Sequence, residues 1–166
     1  MITQLLFWRT PFRAAGSCSA DTAARRLETL LSTTRRFSAE ERLVGRKEGM
    51  RFRVWKRTLL GGSADVVQLE GRITQGDGGA LVEGSFSYKA ATKVQFIGFL
   101  AMGLFIAANG VFQKLGGSAA AGNVIFLGGG IAGVTAAWIL GAYWMKDRQI
   151  EFLRSRIEQT LTPEAT

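Results

Sequence analysis

The sequence predicts an α+β protein: a small antiparallel β meander with one helix, followed by a two-helix transmembrane hairpin and a C-terminal amphipathic helix. Two observations predict this fold class. Short segments of alternating apolar and polar residues fill much of the first half of the chain, and two long uncharged apolar segments lie in the second half. We therefore divide the chain into a cytoplasmic α+β domain (residues 1–90), a membrane hairpin (94–145) and a cytoplasmic amphipathic helix (146–161).

The N-terminal domain is predicted to contain five strands and one helix. The first strand is placed in MITQLLFWRT, which is rich in β-branched and aromatic residues. The segment SADTAARRLETLLSTT is predicted to be a helix with Ser19 as its N-cap. Four more strands are placed in RLVGRK, MRFRVWKRT, ADVVQLEGRIT and ALVEGSFSYK. The short glycine-rich turns typical of antiparallel hairpins lie between them, at Glu48-Gly49, Leu60-Gly61-Gly62-Ser63 and Gly76-Asp77-Gly78-Gly79.

One face of the predicted sheet is apolar, and the other is wet and basic. The most distinctive feature of the basic face is a row of three arginines and one tryptophan on a single strand. We call these residues the basic row: Arg51, Arg53, Trp55 and Arg57. The row can pair with Glu70 and Glu83 across the strands. It can also contact anionic lipid headgroups, where each base contributes about 1 kcal/mol near the surface. Binding to nucleic-acid phosphates is the least favoured interpretation, so no nucleic-acid partner is expected.

The apolar segments, residues 94–112 and 124–145, contain 19 and 22 residues and no charge. A bilayer core of about 30 Å needs about 20 helical residues that rise about 1.5 Å each, so both segments are long enough to span it. Lys93 precedes the first segment, Lys146 follows the second, and Trp144 lies where an interfacial aromatic belt would be. These borders favour two membrane spans.

Small residues recur every four positions in the second span, at Gly129, Gly133, Ala137 and Gly141, and the first span offers Gly103 and Ala107 at the same spacing. Such a pattern places a smooth groove along one helix face, where another helix backbone can approach closely. Two interpretations remain open at this point. The small residues pack the two helices of the hairpin together, or they seat a helix of a partner protein.

The pattern Gly128-x-Gly130-x-x-Gly133 resembles the dinucleotide-binding fingerprint that opens many flavin-dependent oxidoreductases. Glu151 lies near the position of the ribose-binding carboxylate that this resemblance implies. A dinucleotide fold also needs a βαβ unit and further parallel strands. The residues after Gly133 instead continue in helical register, so the membrane interpretation is favoured and no cofactor is expected.

The distribution of charge predicts the orientation in the membrane. Sixteen bases and nine acids precede Val94, whereas the connection between the spans carries the single base Lys114. The positive-inside rule therefore places both termini in the cytoplasm. The order of domain, hairpin and short helix is similar to that of small bacterial membrane proteins, and we expect a bacterial inner membrane. An organellar transit peptide at the arginine-rich start is a lesser alternative.

The composition excludes several kinds of chemistry. The chain has no His and one Cys, Cys18. An internal disulfide, a Cys/His zinc site and a Ser-His-Asp triad are therefore impossible within this chain. Neither span contains an ionisable Asp, Glu, Lys or Arg, which argues against an ion-translocating role. We predict no catalytic residue and no metal site.

These observations predict a non-enzymatic integral membrane protein, an accessory or structural subunit of a larger inner-membrane complex that docks through small-residue helix faces. Its expected partners are membrane lipids and other membrane-protein subunits or further copies of itself. The alternative is a membrane-tethered binding module, in which the basic row recognises anionic lipid headgroups or a small ligand.

Overall fold

The computed structural model describes residues 2–33, 42–57 and 66–162. These residues contain a five-stranded antiparallel sheet and four helices, two of them long and apolar, so the predicted α+β class is confirmed. The predicted turn at Leu60-Gly61-Gly62-Ser63 lies outside the described residues.

The chain forms two compact units. The first, which we call the helix unit, combines α1 (Ile2–Leu6) with Ala90–Trp144. The second, the sheet unit, combines Phe7–Lys89 with the chain from Met145 onward. The last helix of the chain therefore contributes residues to both units.

The sheet unit is built on five strands: β1 (Thr10–Gly16), β2 (Arg42–Glu48), β3 (Arg51–Arg57), β4 (Val67–Gly76) and β5 (Gly79–Tyr88). Their order across the sheet is β1-β5-β4-β3-β2, and every neighbouring pair is antiparallel. At the predicted turn between β4 and β5, Gly76 pairs with Gly79 across two residues, and Gly79 has a φ of 134° that favours glycine. A second turn, at Gly49 with φ 60°, joins β2 to β3.

The predicted position of the N-terminal strand is wrong. The segment MITQLLFWRT contains the short helix α1, and β1 begins only at Thr10. Pairing over seven residues with β5 determines this placement, because it buries Phe12 with its ring 5.4 Å from that of Phe86. Pro11 is tolerated because β1 is an edge strand, where a missing backbone N–H breaks no ladder hydrogen bond on the open side.

The helix α2 (Ala20–Thr33) is found where it was predicted. The Ser19 hydroxyl accepts a hydrogen bond from the Thr22 N–H at 3.2 Å, and the Ser19 carbonyl accepts one from the Ala23 N–H at 3.0 Å. Ser19 is thus the N-cap, as expected. Ala23 and Leu27 are fully buried, so the apolar face of α2 forms part of the core of the sheet unit.

The predicted amphipathic helix is the last part of α4 (Ala121–Leu161), a continuous helix of 41 residues. Leu153, Ile157 and Leu161 are each at most 2% exposed. A Cβ atom added to Gly16 of β1 would lie 2.6 Å from the Cβ of Leu161, so this end of α4 packs directly on the sheet. Further back along α4, the side chain of Gln149 forms a second contact with the sheet. Its Oε1 accepts a hydrogen bond from the buried Val67 N–H of β4 at 3.0 Å.

The predicted spans 94–112 and 124–145 lie in α3 (Ala90–Leu115) and in the first part of α4, and the helix unit contains these helices as far as Trp144. Both helices are long and apolar enough to cross a membrane. The segment Gly128–Gly133 lies inside α4, and the element directly before α4 is the helix α3, not a strand. The strand–turn–helix context that a dinucleotide fingerprint needs is therefore missing.

Candidate functional site

The two long helices contact each other through small residues. A Cβ atom added to Gly103 of α3 would lie 2.7 Å from the backbone nitrogen of Ala132 and 3.0 Å from the carbonyl oxygen of Gly128 on α4. A Cβ atom added to Gly128 would collide with the backbone of Ala107. We call these four residues the α3–α4 seam. Gly103 and Ala107, both named from the sequence as packing residues, lie in it.

The contacts extend beyond the seam in both directions. Gly110 of α3 faces Ile125 of α4, and an added Cβ atom there would lie 2.7 Å from the Ile125 nitrogen. Towards the other end, the rings of Phe96 and Trp138 pack edge to face with their centroids 5.1 Å apart. The two helices α3 and α4 therefore pack against each other in antiparallel directions.

The predicted small-residue stripe of α4, Gly129, Gly133, Ala137 and Gly141, lies on a different face from the seam. A Cβ atom added to any of its three glycines would meet no atom of the described chain within 4 Å, and Ala137 is exposed. One residue step turns a helix by about 100°, so Gly128 faces α3 while Gly129 does not. We call these four residues the open stripe.

The basic row lies on β3, and part of its charge is neutralised. The Arg53 Nε lies 2.6 Å from the Glu70 Oε1 on β4, its predicted cross-strand partner. The Lys89 ammonium lies 5.1 Å from the ring centroid of Trp55, in a cation–π geometry. Arg51 and Arg57 are exposed and form no ion pair with the other described residues.

The second expected acidic partner of the row, Glu83, is engaged elsewhere in the sheet. Its Oε1 lies 3.4 Å from the Nε of Arg13 on β1. Lys47 of β2 reaches α2 instead, where its ammonium lies 2.8 Å from the Glu28 Oε2. This hydrogen bond and the charge of Lys47 lower the pKa of Glu28 below its ordinary value.

Sequence reasoning missed a cavity of about 530 Å³ between α2 and the end of α4. Arg25 and Arg26 of α2 line one side, and Arg156 and Gln159 of α4 line the other. On the sequence these arginines belong to the polar faces of two amphipathic helices, and such faces are normally solvated. They line one cavity only in the folded sheet unit, because α2 and the end of α4 are more than a hundred residues apart in the sequence.

No group of three or more His, Cys, Asp or Glu residues that could hold a metal ion occurs in the part of the chain that the structure describes. Comparison with protein-family models, with curated proteins and with solved structures gave no match for this chain.

Proposed function

We propose that this chain is an integral membrane protein in which α3 and α4 form a hairpin that crosses the bilayer twice. The exposed surface of these helices supports the proposal. In each helix, the most apolar 18-residue window has only 17% of its residues buried, whereas a core helix of a water-soluble protein is mostly buried. Large apolar side chains such as Phe105, Phe112 and Phe126 are exposed. Such a surface is costly in water and favourable in lipid.

The residues at the borders of the proposed spans support it as well. The ammonium of Lys89, just before α3, lies over the ring of Trp55, and that of Lys146 lies 5.8 Å from the ring centroid of Trp8. Trp144 is exposed beside Lys146 on α4. Tryptophan is enriched at membrane–water interfaces, and lysine and arginine are in excess next to the cytoplasmic ends of spans.

The excess of basic residues before Val94 favours an orientation with both termini in the cytoplasm and the α3–α4 connection outside. In this proposal the membrane is a bacterial inner membrane, and the sheet unit faces the cytoplasm.

Within that membrane we infer a non-enzymatic role as an accessory or structural subunit of a larger complex. The observation that carries this inference is the open stripe. The seam already joins α3 to α4, so the open stripe is not needed to hold these two helices together. A partner helix could approach the α4 backbone closely along Gly129, Gly133, Ala137 and Gly141, gaining van der Waals contact that lipid chains provide less well.

Affinity purification of the tagged full-length chain from native membranes in mild detergent tests this function. We expect a partner to co-purify with the wild-type chain in stoichiometric amount. The Gly133→Leu substitution places a large side chain in the open stripe, and we expect it to reduce the recovered partner about tenfold, the effect of about 1.4 kcal/mol.

The control is Val134→Phe, which also enlarges a side chain on the same helix, at a position that is 71% exposed and points about 100° away from Gly133. It should retain the partner. If the wild-type chain elutes alone, or if both variants release the partner equally, docking through the open stripe is refuted.

The alternative function, a membrane-tethered module that recognises anionic headgroups, is favoured by the exposed Arg51 and Arg57. Titration calorimetry of the full chain in detergent with dioctanoyl phosphatidylglycerol tests it. The Arg51→Gln/Arg57→Gln double variant should bind this lipid more weakly than the wild type, because two headgroup contacts are removed. Unchanged binding would count against this alternative.

A further inference from the structure

The cavity between α2 and the end of α4 has the composition of an anion-binding site, and neither function proposed above uses it. Its volume of about 530 Å³ lies within the range of small-molecule pockets. Three arginines line it, Arg25, Arg26 and Arg156. The apolar side chain of Leu30 and several threonines complete the lining that these two helices provide.

The positive charge in this cavity is not neutralised within the described part of the chain. None of the three guanidinium groups forms an ion pair there. Glu28 of α2 is bound to Lys47, and neither Asp21 of α2 nor Glu158 of α4 lines the cavity. Like charges brought together repel one another, and a bound anion would relieve that repulsion.

The guanidinium groups also have hydrogen-bond donors to spare. Arg26 donates from Nη1 to the Thr162 carbonyl at 2.7 Å, and Arg156 donates from Nη1 to the Gln159 Oε1 at 3.3 Å. Each guanidinium has five N–H donors, so most remain available. Arg25 makes no side-chain hydrogen bond to any other described residue.

Two of the threonine hydroxyl groups in the lining already donate hydrogen bonds within the protein. Thr29 and Thr160 donate to carbonyls of their own helices, at 3.1 Å and 2.7 Å. A ligand in the cavity is therefore offered charged donors from arginine. The Gln159 carboxamide, whose oxygen already accepts from Arg156, adds its N–H groups.

We propose that this cavity binds a phosphate-bearing anion. A planar guanidinium fork matches the oxygens of a phosphate group, and three such groups suit a ligand with two or more negative charges. The cavity is larger than a phosphate group alone and includes Leu30, so it has room for an attached organic body. A soluble phosphorylated metabolite and a phosphomonoester lipid headgroup share this chemistry. The site is independent of the open stripe, and its failure would leave the subunit proposal untouched.

Titration calorimetry of the full chain in an uncharged detergent tests the site with two probes, inorganic pyrophosphate and dioctanoyl phosphatidic acid. We expect at least one of them to bind the wild-type chain. The Arg25→Gln/Arg156→Gln double variant should bind it at least about tenfold more weakly, since the charge-assisted hydrogen bonds from two guanidinium groups are lost. Arg26 is left intact because it also holds the Thr162 carbonyl at the end of α4.

Two controls make the result specific. The Arg9→Gln/Arg154→Gln double variant removes the same charge at two exposed positions outside both the cavity and the basic row, and it should bind the probe as the wild type does. The Arg25→Lys/Arg156→Lys double variant keeps the charge but loses the planar guanidinium donors. Its affinity for the probe should lie between that of the wild type and that of the Arg25→Gln/Arg156→Gln variant. Circular dichroism verifies that each variant remains folded.

The two probes distinguish the source of the phosphate. Binding of pyrophosphate supports a soluble phosphorylated ligand, and binding of phosphatidic acid alone supports a lipid headgroup. If neither probe binds, if the Arg25→Gln/Arg156→Gln variant binds as well as the wild type, or if the Arg9→Gln/Arg154→Gln variant loses as much binding as it does, the proposal is overturned.

Discussion

Gly128 and Gly129 are neighbours in the sequence, yet they lie in different surroundings on α4. Gly128 is buried against the backbone of Ala107, whereas a Cβ atom on Gly129 would meet nothing within 4 Å in the described chain. Because adjacent helical residues point about 100° apart, only one of them can face α3. The seam and the open stripe thus use different glycines of one run, Gly128-Gly129-Gly130.

A first prediction compares Gly128→Leu with Gly129→Leu in the detergent-solubilised chain. We expect Gly128→Leu to lower the free energy of unfolding by about 1–3 kcal/mol or more, because the new side chain must displace the α3 backbone. Gly129→Leu should leave stability unchanged or slightly raised, since leucine favours helix more than glycine does. Unfolding in sodium dodecyl sulfate, followed by circular dichroism, measures both. Equal destabilisation by the two variants would contradict the seam.

A second prediction concerns the Glu28 carboxylate. Its pKa is lowered by Lys47, so the ion pair stabilises the native state at pH values above the ordinary glutamate pKa of 4.5, which applies in the unfolded chain. That stabilisation is lost as the pH falls through the lower pKa of the folded state. We expect Lys47→Met to raise the pKa of Glu28 towards 4.5, measured by carboxyl-carbon NMR titration. A pKa unaffected by this substitution would show that the ion pair does not form in solution.

At the scale of whole elements, the last part of α4 completes the core of the sheet unit. Leu153, Ile157 and Leu161 are buried, and Gln149 accepts the Val67 N–H. Burying a large aliphatic side chain contributes about 1.5–3 kcal/mol, so three of them contribute about 5–9 kcal/mol. This is comparable with the whole stability of a typical small domain.

A third prediction follows for the fragment Phe7–Lys89, which is the sheet unit without the end of α4. It should be unfolded or only marginally stable, because three large apolar side chains are missing from the core. The fragment Phe7–Lys89 should show poor dispersion in an amide NMR spectrum, and a peptide of residues 145–162 should restore dispersion when added. A well-dispersed spectrum from the fragment alone would mean that the end of α4 is dispensable for the fold.

Periodicity and turn chemistry were sufficient to predict most of these elements. Alternation in MRFRVWKRT and the Asp77-Gly78 turn identified strands of the sheet, and Ser19 identified the start of α2. The position of β1 was missed because it depends on pairing with β5, some seventy residues away, rather than on local composition. The arginine-lined cavity was missed for the same reason. The presence of small residues on α4 was predictable, but which glycine faces α3 depends on packing.

At the scale of the whole molecule, charge and apolar surface are segregated along the chain. Sixteen of its 21 bases precede Val94, while α3 and the first part of α4 expose large apolar side chains. A single helix, α4, takes part in both compact units. This segregation is the basis of our proposal that α3 and α4 cross a membrane as a hairpin, with the sheet unit in the cytoplasm.

Cysteine labelling in a bacterial host tests this topology directly. It is practical because the chain has only one cysteine, so a single substitution gives a cysteine-free background. In a Cys18→Ser background, Ser118→Cys lies in the exposed α3–α4 connection and Asp77→Cys in the exposed β4–β5 turn. A membrane-impermeant maleimide is applied to intact spheroplasts and, separately, to lysed ones. We expect the Ser118→Cys chain to react before lysis and the Asp77→Cys chain only after it. Equal reaction of the two before lysis, or release of the protein from membranes by alkaline carbonate, would contradict the account.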